Sequence, residues 1–105
     1  MKRYVVETTL YHKQDDEFKL IDRFESPLAR GSDYKDAEKH MVSAGQISVR
    51  TIVNRGWKPE YVWPADKGRQ RIILFKDKDT CLVVGKVVIT IQEYANWVHE
   101  VEHRE

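Results

Sequence analysis

Residues 81–89 (Cys-Leu-Val-Val-Gly-Lys-Val-Val-Ile) are apolar at nearly every position. Val83, Val87 and Ile89 alternate on one side, and Leu82, Val84 and Val88 on the other. A strand with one wet face alternates apolar and polar residues. A strand apolar on both faces is central in a sheet, covered on both sides, or part of a subunit interface. The chain is therefore expected to build a sheet around this segment.

The flanking segments supply the other strands. Tyr4, Val6, Thr8 and Leu10 share one face of an alternating stretch that runs to Tyr11. Glu17 to Phe24 alternates too, with Phe18, Leu20 and Phe24 on one side. Lys13-Gln14-Asp15-Asp16 is a polar turn between them, so the pair reads as a hairpin. Trp57–Trp63 is a short strand whose Pro59 removes a ladder donor and favours an edge. Pro64–Gly68 reads as a turn, Arg69–Lys76 as a strand, and Asp77-Lys78-Asp79 as a tight turn.

Ser26–Ser32 is a connector, and Ser32 or Asp33 can cap the helix after it. At 100° per residue, Tyr34, Ala37, Met41, Ala44, Val49 and Ile52 fall on one side. Asp36, Lys39, Ser43, Gln46, Arg50 and Asn54 fall opposite. The polar stripe keeps its phase across Gly45, which predicts one continuous helix over about 33–55. Ala44, Gly45 and Ser48 imply close packing against that helix, and Gly56 sits where a left-handed cap belongs. Thr90-Ile91-Gln92-Glu93 has capping-box spacing, and Ile91, Tyr94, Ala95, Val98 and Val101 form a stripe. A second helix is expected there, over about 91–103.

With 105 residues, 41% apolar and 33% charged, the chain is expected to be a single domain, 1–105, able to fold without staples. Only five Gly and three Pro exclude collagen-like and low-complexity classes. The expected class is α+β: a mainly antiparallel sheet of about five strands, one long helix and a C-terminal helix, in the order β-β-α-β-β-β-α.

The chemistry-bearing motifs are few. Cys81 is the only cysteine, so no intrachain disulfide or thiolate cage is possible, and its apolar neighbours predict a buried structural thiol. The glycines are scattered, so no phosphate loop is present and no cofactor is expected. Met1–Glu7 reaches an acid before any long apolar stretch, so no secretory signal is read there. The longest apolar run is four residues, far short of a membrane span. Cytoplasmic location and no membrane partner are the resulting expectations.

His99-Glu100-Val101-Glu102-His103 matches H-E-x-x-H and resembles the zinc-protease signature. The resemblance implies His99 and His103 as ligands and Glu100 as the base. Only two residues follow the motif, so a third downstream ligand is missing. A solvated charged turn is the expectation, and a metal-dependent hydrolase ranks last among the functions. No catalytic or metal-binding residue is assigned.

Residues 50–71 hold six positive and two negative side chains, a local excess of four. Residues 92–105 are acidic in turn, with Glu93, Glu100, Glu102 and Glu105 against Arg104. Within the basic stretch, Trp57, Tyr61 and Trp63 share one strand face. Aromatic rings among cations suit single-stranded nucleic acid, because rings stack bases and cations neutralise phosphates. The same residue types form sheet cores and protein interfaces. Arg55, Trp57, Lys58, Tyr61, Trp63, Lys67, Arg69 and Arg71 are thus the candidate partner or nucleic-acid site. The α-β-β-β-α order resembles double-stranded RNA-binding domains, but Thr90-Ile91-Gln92-Glu93 lacks the basic turn that those modules place on their last helix.

The favoured expectation is a small non-enzymatic binding or regulatory protein acting through a protein interface, with a homodimer among its forms. A virus- or mobile-element-encoded inhibitor of a host enzyme fits that description. The alternative is a nucleic-acid-binding accessory protein using residues 55–71.

Overall fold

The computed structural model describes residues 3–62 and 68–94. Five strands form one antiparallel sheet: β1 (Arg3–Gln14), β2 (Glu17–Pro27), β3 (Trp57–Val62), β4 (Gln70–Asp77) and β5 (Val83–Tyr94). Helix α1 (Tyr34–Asn54) follows β2. The sheet order is β2-β1-β5-β4-β3. The segment with two apolar faces is thus the middle strand, and β3 with its Pro59 is an edge.

The β1–β2 hairpin closes on Asp15 and Asp16, with φ of 51° and 65°. Two left-handed residues twist the chain to match the strands on either side. The register shifts between Leu10 and Tyr11, which pair with Asp22 and Leu20. Ile21 is therefore the extra residue of a bulge, which reverses the parity of β2. Phe24 shares the inner face with Thr8, whereas Phe18 and Leu20 share the outer face with Lys13 and Tyr11. The expectation of one common face for Phe18, Leu20 and Phe24 is corrected by this single inserted residue. On the outer face the Lys86 ammonium lies 4.4 Å from the Phe18 ring centroid and 5.0 Å from that of Tyr11. Val5 is 1% exposed on that face, set between Pro27 and Gln92 in the register. Arg23 Nε donates to Glu7 Oε2 at 2.9 Å, and Gln92 Nε2 donates to the same oxygen at 3.2 Å.

Helix α1 begins at a capping box. Asp36 N–H donates to the Asp33 carboxylate at 2.9 Å, and Asp33 N–H donates back to Asp36 at 2.9 Å. It ends where Arg55 N–H donates to Thr51 O and Gly56 turns to φ +82°. Ala37, Met41, Gly45 and Ile52 are buried, with Tyr34, Ala44 and Val49 beside them. They meet Tyr4 and Val6 of β1, Ile73 and Phe75 of β4, and Val87, Ile89 and Ile91 of β5. The helix runs unbroken through Gly45, whose backbone lies against Ile73 and Ile89.

The Asp33 and Asp77 carboxyls both sit below the usual carboxylate range. Asp33 is held there first by the Asp36 N–H, and Asp77 by the N–H groups of Thr80 and Asp79. A lowered folded pKa stabilises the fold above the ordinary carboxylate range, and that stabilisation is lost as pH falls through the lowered value. Melting temperature is therefore expected to fall on acidification below about pH 4. The Asp33→Ala variant should melt lower than the parent at neutral pH and approach it in acid. Parallel melting curves at every pH would refute this.

The expected C-terminal helix is not formed where it should begin. Residues 90–94 continue β5, with Thr90 opposite Glu7 and Gln70, and Ile91 opposite Val6. Ile91 N–H donates to Arg69 O at 2.8 Å. A helix start leaves its first N–H groups unsatisfied. Here strands on both sides supply partners for the backbone, so the ladder prevails over the local capping pattern. The order is β-β-α-β-β-β over the described residues, and the rest of the 91–103 expectation lies outside them. Cys81 is exposed, not buried, and sits at φ +60° in the β4–β5 turn.

Candidate functional site: a groove between the helix and the long hairpin

One helix does not cover five strands. Helix α1 packs across β1, β5, β4 and β3, with Gly45 against Ile73 and Ile89. The inner face of β2 lies beyond its reach, and Phe24 is 57% exposed there. A groove of about 560 Å³ is left between α1 and the β1–β2 hairpin. Leu10, Ile52, Phe75 and Val87 line its depth, with Phe24 on the strand wall and Ile47 on the helix wall. Trp57 and Arg55 border it as well, together with the polar side chains of His12, Asp22 and His40.

Each lining residue is placed by a simple rule. Thr8, Leu10 and His12 alternate on β1, so they share the inner face. Asp22 and Phe24 join them because the bulge at Ile21 resets β2. On α1, His40, Ser43, Ile47 and Thr51 recur at i, i+3, i+7 and i+11, along the flank beside the core stripe. Two of the helix hydroxyls there are engaged internally: Ser48 donates to Ala44 O at 2.9 Å and Thr51 to Ile47 O at 3.0 Å. Trp57 stacks on Phe75 with centroids 4.9 Å apart and planes at 24°, and His12 stands edge-on to Trp57 at 5.9 Å. The resulting surface is apolar and aromatic in its depth, with polar groups around it. Such a surface binds by shape and desolvation.

The residues singled out between 55 and 71 do not form one surface among those described. Strand alternation puts Trp57 and Tyr61 on the inner face and Lys58 on the outer face, opposite Lys76. Trp57 packs against the core, whereas Tyr61 is 48% exposed. Arg69 pairs with Glu93 at 3.4 Å and lies 5.6 Å from the centroid of the Tyr34 ring. Arg71 is half-buried on the inner face, opposite Ile89. Arg55 alone of the cations reaches the groove. Trp63 and Lys67 lie outside the described residues, as do His99, Glu100 and His103. Among the described residues no group of three or more His, Cys, Asp or Glu side chains is placed to hold a metal ion. Nor is any described helix long and apolar enough to cross a membrane.

Sequence reasoning missed Phe24, Ile47, His12, Asp22 and His40 as a set. Their one detectable signal is Ile47, an apolar residue off the helix's core stripe. No family model, curated protein or solved structure matches this chain.

Proposed function

We propose that this is a non-enzymatic binding and regulatory protein, and that a protein partner docks in the groove beside α1. An inhibitor of a larger enzyme is the regulatory role that suits a small chain of this kind. The observation that carries the reading is the pair of apolar walls: Phe24 is 57% exposed and Ile47 is 62% exposed, with a buried aromatic layer behind them. Large apolar side chains left facing one another across a concave surface mark contact sites.

Ile47→Asp tests this directly. The side chain is already in solvent, so the melting temperature should stay within about 2 °C of the parent. A charge in the middle of an apolar contact should weaken partner affinity about a hundredfold. The partner would be captured on the parent chain from the source cells, purified, and titrated against parent, Ile47→Asp and the outer-face control Lys58→Asp. Loss with Ile47→Asp alone supports the reading. Equal affinity for all three chains refutes it.

A further inference from the structure

We propose that two copies of this chain pair through β2, antiparallel about a two-fold axis at Phe24, joining their sheets edge to edge. The pairing is independent of what docks in the groove, because it uses the backbone of β2 and leaves Ile47 out.

The two edges of the sheet differ. β3 is six residues long and carries Pro59 in its interior. β2 is eleven residues long, its one proline is the last residue, and every residue from Glu17 to Glu25 is exposed. A long edge strand offers main-chain donors and acceptors to a strand laid beside it.

The ladder with β1 shows which groups face outward. Leu28 N–H donates to Tyr4 O at 2.9 Å, next to the Val5–Pro27 pair. Along an antiparallel ladder, hydrogen-bonded and non-hydrogen-bonded pairs alternate. Ser26 and Phe24 therefore turn their backbone groups towards β1, and Glu25 and Arg23 turn theirs towards the edge. The Arg23 N–H agrees, since it donates to the neighbouring Asp22 carboxylate at 2.8 Å.

Two devices bound the segment that can pair. The bulge at Ile21 interrupts one end, and Pro27, with no N–H, closes the other. Residues 22–26 lie between them, and Phe24 is their centre. A two-fold axis sets each residue opposite the one equally far from that centre on the second copy. Arg23 then faces Glu25 of the second copy, and Glu25 faces Arg23, so the outward-turned groups form the hydrogen-bonded pairs. The Arg23 N–H exchanges the Asp22 carboxylate for the Glu25 carbonyl of the second copy. Asp22 faces Ser26, whose hydroxyl can donate to it. The two Phe24 rings, each 57% exposed in the single chain, meet at the axis in a non-hydrogen-bonded pair, where side chains come closest.

Other centres fit worse. An axis at Asp22, Arg23 or Glu25 sets like charges face to face, and one at Ser26 puts Pro27 opposite Glu25, where a donor is needed. Within one chain Arg23 already lies 3.3 Å from Glu25 and donates to Glu7. Pairing about Phe24 joins two such sets with opposite signs adjacent. The contact closes on itself, and Pro59 obstructs further growth at the far edge. An interface this small implies a reversible dimer, with a dissociation constant of about 10–100 μM.

Sedimentation equilibrium of the full chain from about 5 μM to 1 mM measures that constant. Glu25→Pro removes an outward N–H and leaves the β1–β2 bonds intact. It should weaken the dimer at least about tenfold while the melting temperature stays within about 2 °C. Arg23→Glu and Glu25→Arg each set like charges across the axis, so each alone should be monomeric. Mixed in equal amounts, the two variants place opposite charges at all these positions and should dimerise again, a recovery that misfolded chains would not give. In the parent, the Glu25 amide should exchange more slowly as concentration rises.

A chain that stays monomeric up to about 1 mM overturns the proposal. So does a dimer that Glu25→Pro leaves unchanged, or two charge variants that do not recover on mixing. A dimer lost with Ile47→Asp and kept with Glu25→Pro would place the contact in the groove and also overturn it.

Discussion

Replacing Gly85 with alanine should cost this protein about 3 kcal/mol or more, a large part of the stability of a typical small domain. Gly85 lies on the inner face of the central strand, opposite His12 on one side and Phe75 on the other. A Cβ at that position would run into the Phe75 ring and into the carbonyl oxygen of Tyr11. The ring is boxed in, because Trp57 stacks on it at 4.9 Å and it is 1% exposed. The carbonyl is backbone of β1, and moving it would distort the uninterrupted β1–β5 ladder. A neighbour that is backbone cannot step aside as a flexible side chain can. Gly45 is the internal control. A Cβ there would meet Ile89 and Ile73 at 3.8 and 3.9 Å, ordinary contact distances. Gly45→Ala should raise stability by up to about 1 kcal/mol through helix propensity. Urea unfolding of both variants checks the contrast. Phe75→Leu in the Gly85→Ala chain should recover only part of the loss, since the carbonyl contact remains. Two glycine variants of equal stability would show that the sheet tolerates a side chain at 85.

Much of this architecture could be read from residue order. Helix α1 was readable because independent signals agreed: a periodic apolar stripe, Asp33 as cap, and Gly56 just past the end. A central place for β5 is one of the three readings that its two apolar faces allow, and the sheet order selects it. What escaped is instructive. Thr90 and Glu93 fit a capping box, and nothing within five residues shows that β1 extends back to Arg3 as a ladder partner. The bulge at Ile21 is equally hidden, because alternation continues in the sequence while the strand slips by one residue. Cys81 looked buried from its neighbours, yet it occupies the turn before the strand starts.

The groove was harder still. Its walls draw residues from α1, β1 and β2, with single residues from β3, β4 and β5, and these become neighbours only once β2 lies outside β1 and α1 lies across the rest of the sheet. No local pattern encodes that arrangement. The basic-aromatic stretch presents the opposite case. Residues 55–71 are contiguous along the chain, but strand alternation sends Lys58 to the outer face and Trp57 into the core. A charge cluster in sequence is therefore a weak guide to a charged surface wherever the segment is a strand.

Phe75→Ala should be the most damaging of the simple truncations, at about 4 kcal/mol. Phe75 is among the largest fully buried side chains, and it joins the core to the groove. Its ring fills the space that Gly85 leaves open, carries Trp57 above it, and has His12 at 5.9 Å. Removing it leaves a cavity under Trp57 that the sheet cannot close, because β4 is paired there on both sides, with Pro59 of β3 and Gly85 of β5. Trp57→Ala removes a half-buried ring and should cost less, about 2 kcal/mol. The two rings stack, so the double variant should fall short of the sum by about 0.5–1.5 kcal/mol. Denaturant titrations of the four chains give this coupling, provided that m stays constant. Strict additivity would mean that the stacked pair does not act as a unit. A Phe75→Ala loss below about 1 kcal/mol would mean that the groove has no rigid floor.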